Sequence, residues 1–183
     1  MDNQIIIDLV YNRDSLSDEE ITVLEQELAD KGIVLLSRQR SQMTCASCDF
    51  FVPFIEFVTS PDFIVGITSG IVASIAWDSI KAFAVFLHHK YHDKKIKKIY
   101  PNKTVEEVPN IQMGFGDARF VLPMEVDQEK YEYAVDKFFE YASSHTPDKT
   151  TYVWYNEKDG SLITKSEEQT LKDEYKKQIE KSI

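Results

Sequence analysis

The sequence predicts an α/β fold with an α+β tendency: an N-terminal βαβ unit, a long central apolar helix, and a C-terminal β-α-β-β-α segment in a mixed sheet. Three observations predict it. Short β-branched runs alternate with stretches of helical period, a capping signature follows the first of those runs, and residues 63–98 read as one unbroken helix. At 183 residues, 43% hydrophobic and 28% charged, with two cysteines, the chain can bury a core without disulfides.

Gln4 to Val10 (QIIIDLV) suits a strand buried on both faces. Ser17-Asp18-Glu19-Glu20 is a capping box, with Leu16 and Ile21 spaced as its hydrophobic staple. Ile21, Leu24 and Leu28 form the buried side of the helix, and Gly32 stands where a left-handed residue would end it. Ile33 to Leu36 is the second strand, so the pair is expected to be parallel with a right-handed crossover.

Residues 37–49 read as a polar loop. Pro53 reduces Phe50 to Val58 to an edge strand or a helical turn. Residues 100–110, with Pro101 and Pro109, read as a linker, and Ile111 to Leu122 as a strand bulged at Gly114 and Gly116. Asp127 to Ser144 is a helix with Tyr131, Ala134, Val135, Phe138 and Ala142 inside. Glu157-Lys158-Asp159-Gly160 marks a hairpin, and Ser166 opens a polar helix whose narrow stripe is Leu171, Tyr175 and Ile179. The boundaries are a βαβ lobe at 1–60, the central helix and basic linker at 61–104, and a second lobe at 105–183, together one compact domain. The element order suggests two similar halves, although no repeat is visible at residue level.

Charge narrows the partners. The net charge of −10 argues against nucleic acid, which needs a basic footprint. Residues 1–62 carry 12 acids and 4 bases, residues 105–183 carry 17 and 10, and residues 63–104 carry only 2 acids against 7 bases. A basic middle between acidic ends suits self-association or one anionic contact surface. The N-terminal run has no basic region ahead of its apolar stretch and is not a signal peptide, so a cytoplasmic location with reduced thiols is expected.

The central helix is the unusual element. Residues 63–87 contain only Asp78 and Lys81 as charges. Gly66, Gly70, Ser74, Asp78 and Lys81 fall along one stripe, continued by His88 and His92, while Ile64, Val72, Ile75, Ala76, Ile80, Phe83, Phe86 and Leu87 occupy the rest. Each mid-helix glycine costs about 1 kcal/mol relative to alanine, which small-xxx-small spacing offsets where another backbone comes close. The helix is then a core element, an interface with a second copy or another chain, or an inserting segment of a membrane-acting effector. For insertion, a charge at mid-bilayer costs about 2.5–3.5 kcal/mol, whereas Lys90, Lys94, Lys95, Lys97 and Lys98 supply a positive flank able to contact an anionic surface.

Cys45-Ala46-Ser47-Cys48 is a CxxC, and His88 and His92 stand one helical turn apart. Together they could supply four tetrahedral zinc ligands, although the separation is far from zinc-finger spacing. The CxxC also permits a thiol-dependent regulatory role, or two reduced thiols in a turn. Gly114-Phe115-Gly116-Asp117 beside Arg119 could cradle an anion, but a bulged strand explains the same residues. The chain has no phosphate-binding loop, dinucleotide fingerprint, nucleophile elbow or HExxH. The reading is a non-enzymatic interaction module, without a cofactor, that assembles through the glycine-striped helix. Membrane insertion of 63–87 and a zinc- or thiol-dependent protein are the alternatives.

Overall fold

The computed structural model describes residues 5–12, 15–40, 53–59, 72–100, 103–145 and 147–182. In chain order the elements are β1 (Ile5–Asn12), α1 (Asp18–Ala29), β2 (Ile33–Arg40), β3 (Ile55–Thr59), α2 (Val72–Tyr91), β4 (Ile96–Tyr100), β5 (Lys103–Glu107), β6 (Ile111–Phe115), β7 (Ala118–Val121), α3 (Gln128–Ser144), β8 (Thr151–Tyr155), β9 (Leu162–Ser166) and α4 (Glu167–Ser182). The fold is α/β. One mixed sheet of seven strands, ordered β2-β1-β3-β6-β7-β8-β9, draws on both ends of the chain, and β4-β5 form a separate two-stranded ribbon.

Local chemistry accounts for the N-terminal unit. The Ser17 side chain accepts from the Glu20 N–H while Glu20 accepts from the Ser17 N–H at 2.8 Å, closing the capping box. Leu16 and Ile21 are both buried beside it, and Gly32 takes a φ of 75°, which a side chain would disfavour. The α3 stripe is buried as its period requires: Tyr131, Ala134, Val135, Phe138 and Ala142. Asp127 caps that helix by accepting from the Lys130 N–H at 2.9 Å.

Among the described residues, the connecting helices α1, α2 and α3 cover the same face of the sheet. On that face, register aligns Leu9, Phe57, Met113, Phe120 and Val153 in one row across five strands, Ile7 lies two residues along β1 from Leu9, and all are buried. Phe57 packs edge-on against Phe83 of α2, Phe120 packs on Phe138 of α3, and Ser37 donates to Glu25 of α1. From the sheet centre outward, β3-β1-β2 and β6-β7-β8 have the same sequence of strand directions. In each half, a helix on the same face joins the outer two strands. Halves so arranged are related by reflection rather than rotation. They therefore wind with opposite hands, one right-handed and the other left-handed, and neither half is a copy of the other.

Six expectations are corrected. Residues 37–40, expected in a polar loop, continue β2 to Arg40, and β1, expected to be buried on both faces, leaves Ile6 37% exposed on one of them. The central helix ends at Tyr91, and residues 96–100 are a strand instead of its tail. Residues 103–107, expected within a linker, are the second strand of that ribbon. The segment after Pro53 is an inner strand, because Pro53 stops short of β3 and Ile55 to Thr59 pair on both sides. The bulge is a hairpin: Gly116, at φ 55°, makes the turn between β6 and β7.

Gly114 answers a different need. A Cβ there would lie 2.9 Å from Val58 Cγ2 and 3.2 Å from Arg119 Nη1. Gly114→Ala is therefore expected to cost about 1–3 kcal/mol through overpacking against a β-branched neighbour. Urea denaturation checks this, with a lower midpoint at unchanged slope as the expected result.

Candidate interaction surface

Helix α2 has two unlike sides. Trp77, Ile80, Phe83, Ala84, Leu87 and Tyr91 are buried, facing the sheet and α3. Trp77 stacks on Phe139 of α3 at 4.2 Å between ring centroids. The Tyr131 hydroxyl donates to the Ala84 carbonyl at 2.8 Å, and Lys81 pairs with Asp136 at 2.8 Å. Burial of Tyr131 pushes its phenol well above the ordinary range, so it remains a donor at any working pH.

The C-terminal end of α2 is tied down as firmly. His88 is 3% exposed, stacked on Tyr131 at 4.2 Å, with Nε2 2.9 Å from the Val126 carbonyl. Nε2 must carry the proton in that contact, because a carbonyl can only accept, which leaves Nδ1 bare. Tyr91 donates to the Ser15 carbonyl, and Lys90 pairs with Glu20. Partial burial pushes the Glu20 carboxyl up, but Lys90 and the Ser17 N–H outweigh it and hold the pKa below its usual value.

The outer side differs. Asp78, Ala82 and His89 are exposed, Val85 is half-buried, and Phe86 beside them is 38% exposed. Among the described residues, Asp78 has no ion pair. These positions recur at intervals of four, three and four residues, the spacing that keeps side chains on one line of a helix.

The residues anticipated from sequence are therefore divided. Gly66 and Gly70 lie outside the described residues, as do Cys45 and Cys48, and of Ser74 only the helical backbone is described. Asp78 faces outward, but Lys81 engages α3 and His88 is in the core. His92 is exposed next to Asp93, at 3.0 Å. No group of three or more histidine, cysteine, aspartate or glutamate side chains able to hold a metal occurs among the described residues. Nor is any helix among them long and apolar enough to cross a membrane; within 63–87, Ile80, Phe83, Ala84 and Leu87 face the core.

The basic set disperses in the same way. Lys90 is committed to Glu20, Lys94 sits over the Tyr91 ring at 4.9 Å, and Lys95 reaches Glu125 at 3.5 Å. Lys97 and Lys98 belong to β4, in register opposite Glu106 and Val105. Sequence reading missed Ala82, Val85 and His89 as a line, and it grouped Phe86 with the apolar remainder of the helix; their four-three-four spacing was the available signal.

The opposite face of the sheet, which α4 meets at the β9 edge through Lys165 and Asp173, holds a second polar cluster. Glu56 lies between Arg119 at 3.3 Å and Arg40 at 3.9 Å. Arg119 also donates to the Gly116 carbonyl at 2.5 Å, and Arg40 to the Pro53 carbonyl at 2.6 Å. These bonds join β2, β3 and β7, so the cluster serves as a clasp across the strands. No family model, curated protein or solved structure matches this chain.

Burial pushes the His88 imidazole below its ordinary 6.5; the Val126 contact and Asp127 act against that shift, while His92 and His89 add to it. A group with a depressed folded-state basicity leaves the unfolded chain binding more protons once the pH falls below the unfolded value. Stability is thus expected to fall between about pH 7.5 and about pH 5.5, and His88→Gln to flatten that slope. Urea midpoints across this range provide the check, and an identical slope in the variant would remove His88 as the cause.

Proposed function

We propose that this chain is a non-enzymatic interaction module that assembles with another protein chain through the outward side of its central helix. One observation carries the reading: Asp78, Ala82, Val85 and His89 follow helix-seam spacing on the side of α2 turned away from the sheet. Ala82 at the middle of that line permits close approach of a second backbone, and Phe86 at its edge adds apolar area. Gly66, Gly70 and Ser74 precede the line at small-residue spacing, in keeping with a close crossing.

The inner side of the helix is already used. Lys81, first grouped with the interface, is engaged by Asp136, so the contact reads as Asp78, Ala82, Val85, Phe86 and His89 instead.

A photoreactive amino acid placed at position 82 in living cells tests this. It is expected to yield a protein adduct that the same group at Glu19 of α1, also exposed, does not. If position 82 gives no adduct above that control, the interaction module is the wrong reading.

A further inference from the structure

The line on α2 has a symmetry that specifies its partner. Read from either end, the intervals of Asp78, Ala82, Val85 and His89 are four, three and four. Its midpoint falls between Phe83 and Ala84. A two-fold axis through that point would set an identical helix antiparallel to this one, with Ala82 opposite Val85 and Asp78 opposite His89. Each end would then join a carboxylate to an imidazole, twice per pair, and the small residue would meet the branched one at the centre.

We propose that the partner on this surface is a second copy of the same chain, docked antiparallel about that axis. The inference rests on the interaction reading above and narrows it to self-association. Complementarity points to a copy, since an isologous contact requires one patch to match its own reversed image. A parallel alignment would place Asp78 against Asp78, and like charges face to face oppose pairing. Antiparallel packing also opposes the two helix dipoles, and α2 has His88, His89 and Lys90 in its last turn with no acid in its first. Asp78, Ala82 and His89 are exposed, so changing them leaves the sheet-facing core intact, whereas Val85 also packs against that core and is left unchanged.

Sedimentation of the purified full chain at about 100 μM, with dilution series, measures the association. The expected mass is twice the 21.2 kDa of one chain. Ala82→Arg is expected to weaken association at least about tenfold while leaving the circular dichroism spectrum unchanged, and the thermal midpoint unchanged at a dilution where both chains are monomeric. Asp78→Lys and His89→Asp should each weaken it, and the two together should restore it, because the swapped pair regains its complement. A dimer indifferent to Ala82→Arg, or a double variant no better than the single ones, overturns the antiparallel pairing. A monomer at every concentration overturns self-association. If position 82 still cross-links to another protein in cells, the interaction module stands with a different partner; if it does not, both readings fall together.

Discussion

The structure depends on covering one face of a seven-stranded sheet. That face is continuous apolar surface from Ile33 on β2 to Val153 on β8, and leaving it in water would cost about 25 cal/mol for each Å² exposed. Helix α2 is the cover shared by both halves. It packs on Phe57 through Phe83, stacks on α3 through Trp77, and meets the entrance of α1 through Tyr91 and Lys90. The polar contacts along it are directional where the apolar ones are not. Tyr131 to Ala84, His88 to Val126 and Tyr91 to Ser15 satisfy buried groups that would otherwise penalise folding. They also set the rotation of α2 about its axis, and thereby which residues face outward.

Local signals made much of this legible in the sequence. The capping box at Ser17, the staple of Leu16 with Ile21, and the five-residue stripe of α3 each lie within about four turns of helix, where period and chemistry decide the outcome. The errors arose where strand pairing, near or far in the chain, decides the element and local period does not. Ile55 to Thr59 looked like an edge because of Pro53, yet strands more than forty residues away on either side flank it. A run such as Ile96 to Tyr100 can extend a helix or form a strand, and its partner Lys103 to Glu107 determines which. The opposite hands of the two βαβ units are invisible in any local pattern, because handedness depends on which side the next strand joins.

The stripe on the central helix shows a subtler limit. Successive residues turn by about 100°, so a row taken every fourth residue advances about 40° at each step and spirals around the axis. Three such steps separate Gly66 from Asp78. A row of that kind is a diagonal, and its far end need not share the environment of its near end. In the structure Asp78 faces outward, while Lys81 and His88, assigned to the same stripe, engage α3 and the core. Intervals of four and three alternate around the true period and hold one line. Phe86 was grouped with the apolar remainder on hydrophobicity alone, and its exposure follows from its position about 160° around the helix from the buried Ala84.

Exposed apolar residues occur on both sides of the molecule, and pattern separates their meaning. Ile6, at 37% exposed, and Leu36, at 50%, lie on the face of the sheet opposite α1, α2 and α3. The Asp8–Arg38 pair stands beside them, and farther along the same face the Arg40–Glu56–Arg119 cluster spends donors on carbonyls of its own chain. Scattered apolar side chains among satisfied charges are ordinary protein surface. Asp78 differs in having no ion pair among the described residues, and it stands in line with Ala82, Val85 and His89 on the element whose rotation the core has already fixed. A rigid helix with one ordered side and unspent polar groups at both ends of it can meet a partner without rearrangement, which spares the ordering entropy that a flexible loop would lose on binding.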